Sequence, residues 1–155
     1  MNSVEIQTIF ASAGQPDEQQ IQLWIDTALE GIEGDTEIVV RIVDEQESAE
    51  LNQQYRHKQG ATNILSFPVE LPEGIDLDLN LLGDLVICAP VLEREAQEQG
   101  KPLAHHWAHI IIHGVLHLLG YDHLDDREAD EMESKEIALL QTLNIPNPYQ
   151  QVTER

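Results

Sequence analysis

Basic residues and cysteine are what this sequence most lacks. Eight Lys+Arg stand against 29 Asp+Glu among 155 residues, a formal net charge of −21. Such a surface keeps a protein dispersed and repels polyanions, so by charge alone nucleic acid is a disfavoured partner. A single cysteine, Cys88, excludes an internal disulfide and fits a reducing compartment. No apolar run approaches the ~20 residues that span a bilayer, so no membrane-spanning helix is expected. The start, MNSVEIQTIF, has no basic segment leading into an apolar one, so no signal peptide is expected. No internal repeat or linker divides the chain. Its length suits one domain, and a hydrophobic fraction of 41% is enough for a core.

What is present alternates strand and helix signals in the first half, then turns helical. Val4, Ile6, Thr8 and Phe10 alternate with polar neighbours and read as a strand. Ile21, Trp24, Ile25, Ala28, Leu29 and Ile32 recur at helical spacing, predicting an amphipathic helix over 17–32. TEIVVRIVD is a β-branched strand. Asp44 and Glu47 predict a capping box for a helix running to about Tyr55. TNILSF and LLGDLVICAP read as two further strands, with the acidic segment VELPEGIDLDLN between them as a loop. Pro90 opens a helix that Gly100 closes, Pro102 opens a longer one ending near Gly120, and Asp125 with Glu128 caps the last. The reading is one α+β (α/β-like) domain over 1–155. It has a four-stranded mixed sheet packed with about five helices, a site on the helix turn of the C-terminal half, and a loose tail over 146–155.

The chemistry gathers in HIIIHGVLHLLGYDH, residues 109–123, which sets four histidines in the most apolar part of the chain. His113 and His117 lie four apart on the long helix, so their side chains share one face, one turn apart. That is the spacing two imidazoles need to hold one metal ion. Gly120 can adopt a left-handed conformation and reverse the chain, bringing His123 within reach as a third ligand. Three neutral imidazoles suit one Zn²⁺ per chain, another divalent metal being the alternative. One coordination position stays open for water, the mark of a catalytic site. A lone histidine on an apolar face is usually a packed core group; three at this spacing, with glycine at the turn, outweigh that account. His109 reads as a packed or pocket-lining residue, with support of a ligand or an extra ligand as alternatives. His105 and His106 are expected to be exposed. Asp122 fits turn chemistry as well as it fits orientation of an imidazole.

The same ligand frame occurs in metzincin proteases, H-E-x-x-H-x-x-G-x-x-H, but Gly114 stands where they have their general base. The frame therefore supports metal-activated water and argues against ordinary peptide hydrolysis. YRHK, residues 55–58, gathers Arg56, His57 and Lys58. A solvated helix end, where cations meet the C-terminal dipole, is the plainer account of these three.

HGVLHLLGYDH resembles the signature of the YbeY family, bacterial metal-dependent endoribonucleases that mature ribosomal RNA. LNQQYRHKQGATNILSFP, residues 51–68, resembles that family's second block, and LLGDLVICAP its third. The resemblance covers most of residues 40–125. It implies a single Zn²⁺ on His113, His117 and His123, with Arg56 beside the metal cleft as a fourth residue of the catalytic set. It further implies a cytoplasmic, single-strand-specific endoribonuclease acting in 3′-end maturation of small-subunit rRNA, ribosome quality control and ribosome assembly. Its partners would be rRNA precursor and ribosomal proteins or assembly factors. Two other functions stay open at this point. One is a metallohydrolase of another substrate, a peptide or small phosphoester. The other is a non-catalytic ribosome-assembly factor with a structural metal. The general base is left among metal-bound hydroxide, His109 and an attacking ribose 2′-hydroxyl. The roles of His57 and Lys58 are open too.

Overall fold

A computed structural model describes residues 2–12, 14–32, 34–68, 80–121 and 125–149. β1 (Asn2–Thr8) leads to α1 (Glu18–Ala28), β2 (Thr36–Val43), α2 (Glu45–Arg56), β3 (Ile64–Pro68) and β4 (Asn80–Cys88). Three helices follow: α3 (Ala89–Gln99), α4 (Leu103–Leu118) and α5 (Asp126–Thr142). The sheet order is β1-β2-β4-β3. β1, β2 and β4 run parallel, while β3 is antiparallel to β4. The sheet is thus mixed and four-stranded, with five helices packed on it, as the sequence predicts. Of the loop expected at VELPEGIDLDLN, residues 69–79 lie outside the described residues, and Asn80 already belongs to β4.

Alternation along the strands sorts the apolar residues onto two faces. Ile38, Val40 and Ile42 of β2, with Leu85 and Ile87 of β4, join the larger core beneath α1, α4 and α5. Val43, Leu65, Val86 and Cys88 form a smaller cluster on the other face with Val91. α4 is the buried keystone of the larger core. Trp107, Ile111, Ile112 and Leu116 have no exposed surface, and each such aliphatic side chain stabilises by roughly 1.5–3 kcal/mol. Between residues 105 and 118 of α4, the incompletely buried positions are His105, His109, His113 and His117, one every fourth residue. These four imidazoles therefore form one polar stripe along α4, with buried His106 as the further polar side chain of this stretch.

Several local expectations need correction. α1 ends at Ala28 rather than 32, because Gly31 takes a positive φ of 89° and leaves Ile32 exposed. The Asp44–Glu47 capping box is half made. Asp44 accepts from the Glu47 N–H at 2.9 Å, but the Glu47 carboxylate turns to the Arg41 guanidinium instead. The reciprocal box occurs at Asp17 and Gln20. His106 is not exposed: it is 3% accessible, its Nε2 2.9 Å from Glu95 Oε1. Glu95 also accepts from Asn63 Nδ2 at 3.2 Å, so the buried histidine belongs to a partly buried polar network that ties α4 and α3 to the residue before β3. Of the segment 146–155 read as a loose tail, residues 150–155 lie outside the described residues; within 146–149, Lys101 Nζ donates to the Pro148 carbonyl at 3.1 Å and the Tyr149 hydroxyl donates to Glu136.

Candidate metal and phosphate cleft

One cleft of about 820 Å³ separates the histidine stripe from the end of α2. His113, His117, Gly120 and Tyr121 line one side, and Tyr55, Arg56 and Lys58 the other, with β3 as the floor. The resemblance implies that Arg56 lies beside the histidine cleft, and the fold places both segments on one cleft. Arg56 ends α2, where its charge favours the helix dipole. His57 then takes a left-handed conformation, φ 57°, and the Lys58 N–H reaches back to the Asn52 carbonyl at 3.3 Å. Two buried polar side chains of α2 stitch the following loop down. Ser48 Oγ exchanges hydrogen bonds of 3.0 Å with the carbonyl and N–H of Thr62, and Asn52 Nδ2 donates to the Gly60 carbonyl at 2.9 Å. Lys58 is thereby a cleft residue rather than only a solvated helix end. His57 serves as the cap.

On the opposite side, the Nε2 atoms of His113 and His117 converge to 3.1 Å. Two nitrogens each ~2.0–2.1 Å from one tetrahedral zinc stand roughly 3.3–3.4 Å apart, so this pair fits a shared ion. The other nitrogen of His113, Nδ1, meets the carboxylate of Glu136, which is completely buried in α5. That carboxylate also accepts from the Tyr149 hydroxyl and lies 3.4 Å from His109 Nε2. Burial pulls the Glu136 carboxyl upward. Hydrogen bonds from His109 and His113, the charge of His113 and the tyrosine hydroxyl overcome that and hold it at about 2. Burial lowers the His109 pKa against the pull of Glu136, keeping its ring neutral near pH 7. The ionised Glu136 makes Nδ1 of His113 the donor, so that the neutral ring carries its lone pair on Nε2, toward the cleft.

His109, His113 and Glu136 place ligand atoms within 4.8 Å of one another, a second set able to hold a cation. The two sides of the His113 ring differ physically. On the Nδ1 side the carboxylate is sealed from solvent and its oxygens already accept from three donors. On the Nε2 side the ring faces an open cleft with cations across it. A metal that substrate must reach fits the second side. His109, ambiguous from sequence, directs Nε2 to Glu136 and to the Tyr149 oxygen at 3.2 Å, behind the convergent pair. His123 and Asp122 lie outside the described residues.

Glu136→Gln is expected to lower divalent-metal affinity about 10- to 100-fold, the usual cost of losing a carboxylate behind a ligating histidine. The amide nitrogen cannot accept, so one of the three donors loses its acceptor. Competition with a chromophoric chelator measures this; unchanged affinity would show that Glu136 does not orient His113. Gly120 has φ 102°, as the chain reversal requires, and a Cβ there would meet nothing within 4 Å. Gly120→Val therefore acts through the backbone alone, at about 1–2 kcal/mol. The expected result is a lower thermal midpoint together with weaker metal binding; wild-type values for both would contradict the role of the turn.

A mixed sheet backing a histidine helix, with cations across a shared cleft, defines the class: a metallohydrolase-type α+β protein. Comparison with known proteins is specific beyond the class. A family model described as Endoribonuclease YbeY matches residues 7–144, and the chain belongs to the YbeY family. It is 54% identical over 142 residues to the endoribonuclease YbeY of Methylococcus capsulatus, covering 92% of each chain. Against that of Colwellia psychrerythraea it is 51% identical over 150 residues, covering 94% of this chain and 96% of the relative. The solution structure of TM1509 from Thermotoga maritima has the same fold, with a TM-score of 0.63 at 25% identity over 100% of both chains. Among the described residues, no helix is long and apolar enough to cross a membrane.

Proposed function

We infer that this chain is a metal-dependent endoribonuclease of rRNA processing, using one Zn²⁺ held by His113, His117 and His123. The observation that carries the reading is the shared cleft: convergent Nε2 atoms on one side, Arg56 and Lys58 on the other. The relatives named endoribonuclease YbeY supply the substrate class. When bound, the metal supplies Lewis-acid chemistry toward a phosphoryl oxygen and lowers the pKa of water. The protein supplies the rest. Arg56 takes a phosphate by two parallel N–H donors, fixing its orientation, and Lys58 adds a point charge. Glu136 holds His113 in one tautomer. The narrower assignment is single-stranded rRNA precursor, cut for 3′-end maturation of the small-subunit RNA, with roles in ribosome quality control and assembly in the cytoplasm.

The charge of −21 bears on this reading. Arg41, Arg94 and Arg127 are paired with Glu47, Glu45 and Glu131. Arg56 and Lys58 face the cleft with no carboxylate partner among the described residues. An acidic body with one cationic cleft has little affinity for RNA at large and admits it at one place. The same acidic body suits basic ribosomal proteins as partners. Arg56→Glu is expected to lower kcat/KM on single-stranded rRNA precursor by about 100-fold, from loss of a charge-assisted bidentate contact and a reversed charge. Incubation of metal-loaded wild type and variant with the precursor, contaminating nuclease excluded, tests it. Equal cleavage by both would remove Arg56 from the site.

A further inference from the structure

We propose that Tyr55 forms a base-stacking platform on which a nucleobase next to the gripped phosphate lies; this rests on the endoribonuclease reading. Tyr55 is 57% exposed, a large amphipathic ring left on the surface one residue before Arg56. It packs edge-to-face against Phe67, with ring centroids 5.2 Å apart and planes at 71°. That contact fixes the ring without burying it, and both rings line the cleft that holds Arg56, Lys58, His113 and His117. The support is rigid on both sides. Tyr55 lies in the last turn of α2, whose end is capped at His57, and Phe67 is paired with Asp84 in the sheet.

An exposed aromatic held next to paired cations is the combination that binds a single strand. The cations take the backbone and the ring takes a base, because every base has a π-face. A cleft of about 820 Å³ lies within the range that accepts ligands far larger than a phosphate ion. A duplex keeps its bases stacked on one another, so a platform of this kind favours unpaired strands. The tyrosine hydroxyl is not needed for stacking, which makes phenylalanine the conservative replacement.

The test is binding of a short single-stranded 2′-O-methyl RNA, shown on a gel to stay uncut, to zinc-loaded protein by fluorescence polarisation. Wild type, Tyr55→Phe and Tyr55→Ala are compared on the intact strand and on a set with one abasic position each. Tyr55→Ala is expected to bind the intact strand about tenfold more weakly, a loss of ~1.4 kcal/mol, and Tyr55→Phe like wild type. At one abasic position the difference between wild type and Tyr55→Ala should vanish. A Tyr55→Ala that binds like wild type, or an equal loss at every abasic position, would overturn the stacking role. If wild type neither binds nor cleaves single-stranded RNA, the endoribonuclease reading fails and the platform with it. Cleavage by wild type with no dependence on Tyr55 removes the platform alone. Matching thermal midpoints of the three proteins show that the variants are folded.

Discussion

His117→Ala is expected to abolish cleavage, lowering kcat/KM by about 10³-fold or more, while leaving the metal-free protein as stable as wild type. The two halves of that expectation come from one observation. His117 Nε2 faces His113 Nε2 at 3.1 Å, and its side chain lies on the incompletely buried stripe of α4. Its removal costs the convergent nitrogen pair but little core. Metal-free stability should therefore stay within about 1 kcal/mol of wild type. His113→Ala provides the contrast. It also removes a donor from the sealed carboxylate of Glu136, and a buried acceptor left short of a partner costs about 1–3 kcal/mol. Equilibrium denaturation of the metal-free proteins separates the two. Equal stability losses in both variants would contradict the asymmetry of the site, as would an active His117→Ala.

Gly114→Glu is expected to unfold the protein rather than give it a protease-like base. A Cβ at Gly114 would stand 2.5 Å from Ile64 Cδ1 and 2.9 Å from Leu85 Cδ2. The position faces β3 and β4, and a glutamate there buries a charge inside the larger core. Overpacking and an unpaired buried carboxylate together cost more than about 4 kcal/mol. Gly114→Ala is milder. The two nearest atoms are ends of side chains that can shift, and alanine recovers about 1 kcal/mol of helix propensity. Thermal melts of both variants test this. A folded Gly114→Glu with wild-type stability would mean that α4 does not lie against β3 as described.

At Gly114 the fold adds a reason that the motif alone does not carry. From the motif, Gly114 reads as a missing catalytic group. In the fold it is a steric requirement: α4 approaches β3 and β4 so closely that a methyl needs neighbouring side chains to shift and a longer side chain has no room. The conclusion against peptide hydrolysis gains a reason that the motif comparison lacked, since this helix cannot present a base from that position. Gly120, by contrast, was legible from its place three residues after His117, because chain reversal leaves few choices of residue.

Strand and helix positions were readable because the periods of two and of 3.6 are clean in β2 and α4; the strand order β1-β2-β4-β3 was not. The errors fell where a side chain had two possible partners. Glu47 could close a capping box or meet Arg41, and only the pairing of β2 beside α2 decides. His106 sits within the apolar run of α4, and the carboxylate that receives it comes from α3, a contact no local pattern reveals. Glu136 was missed altogether among the many acids of α5. A signal existed: it falls four residues after Met132 and four before Leu140, on the apolar face of that helix. An acid in such a place needs donors, and here they are His109, His113 and Tyr149.

The central claim is that the ion held at the His113–His117 pair is what makes the cleft cut RNA. Stepwise return of Zn²⁺ to chelator-stripped protein, with cleavage of single-stranded rRNA precursor followed at each addition, tests it most directly. The account predicts activity rising in proportion to bound metal and levelling at about one equivalent. His117→Ala should neither retain that equivalent nor recover activity. Full cleavage by the stripped protein, or recovery of His117→Ala to the wild-type rate, would contradict it.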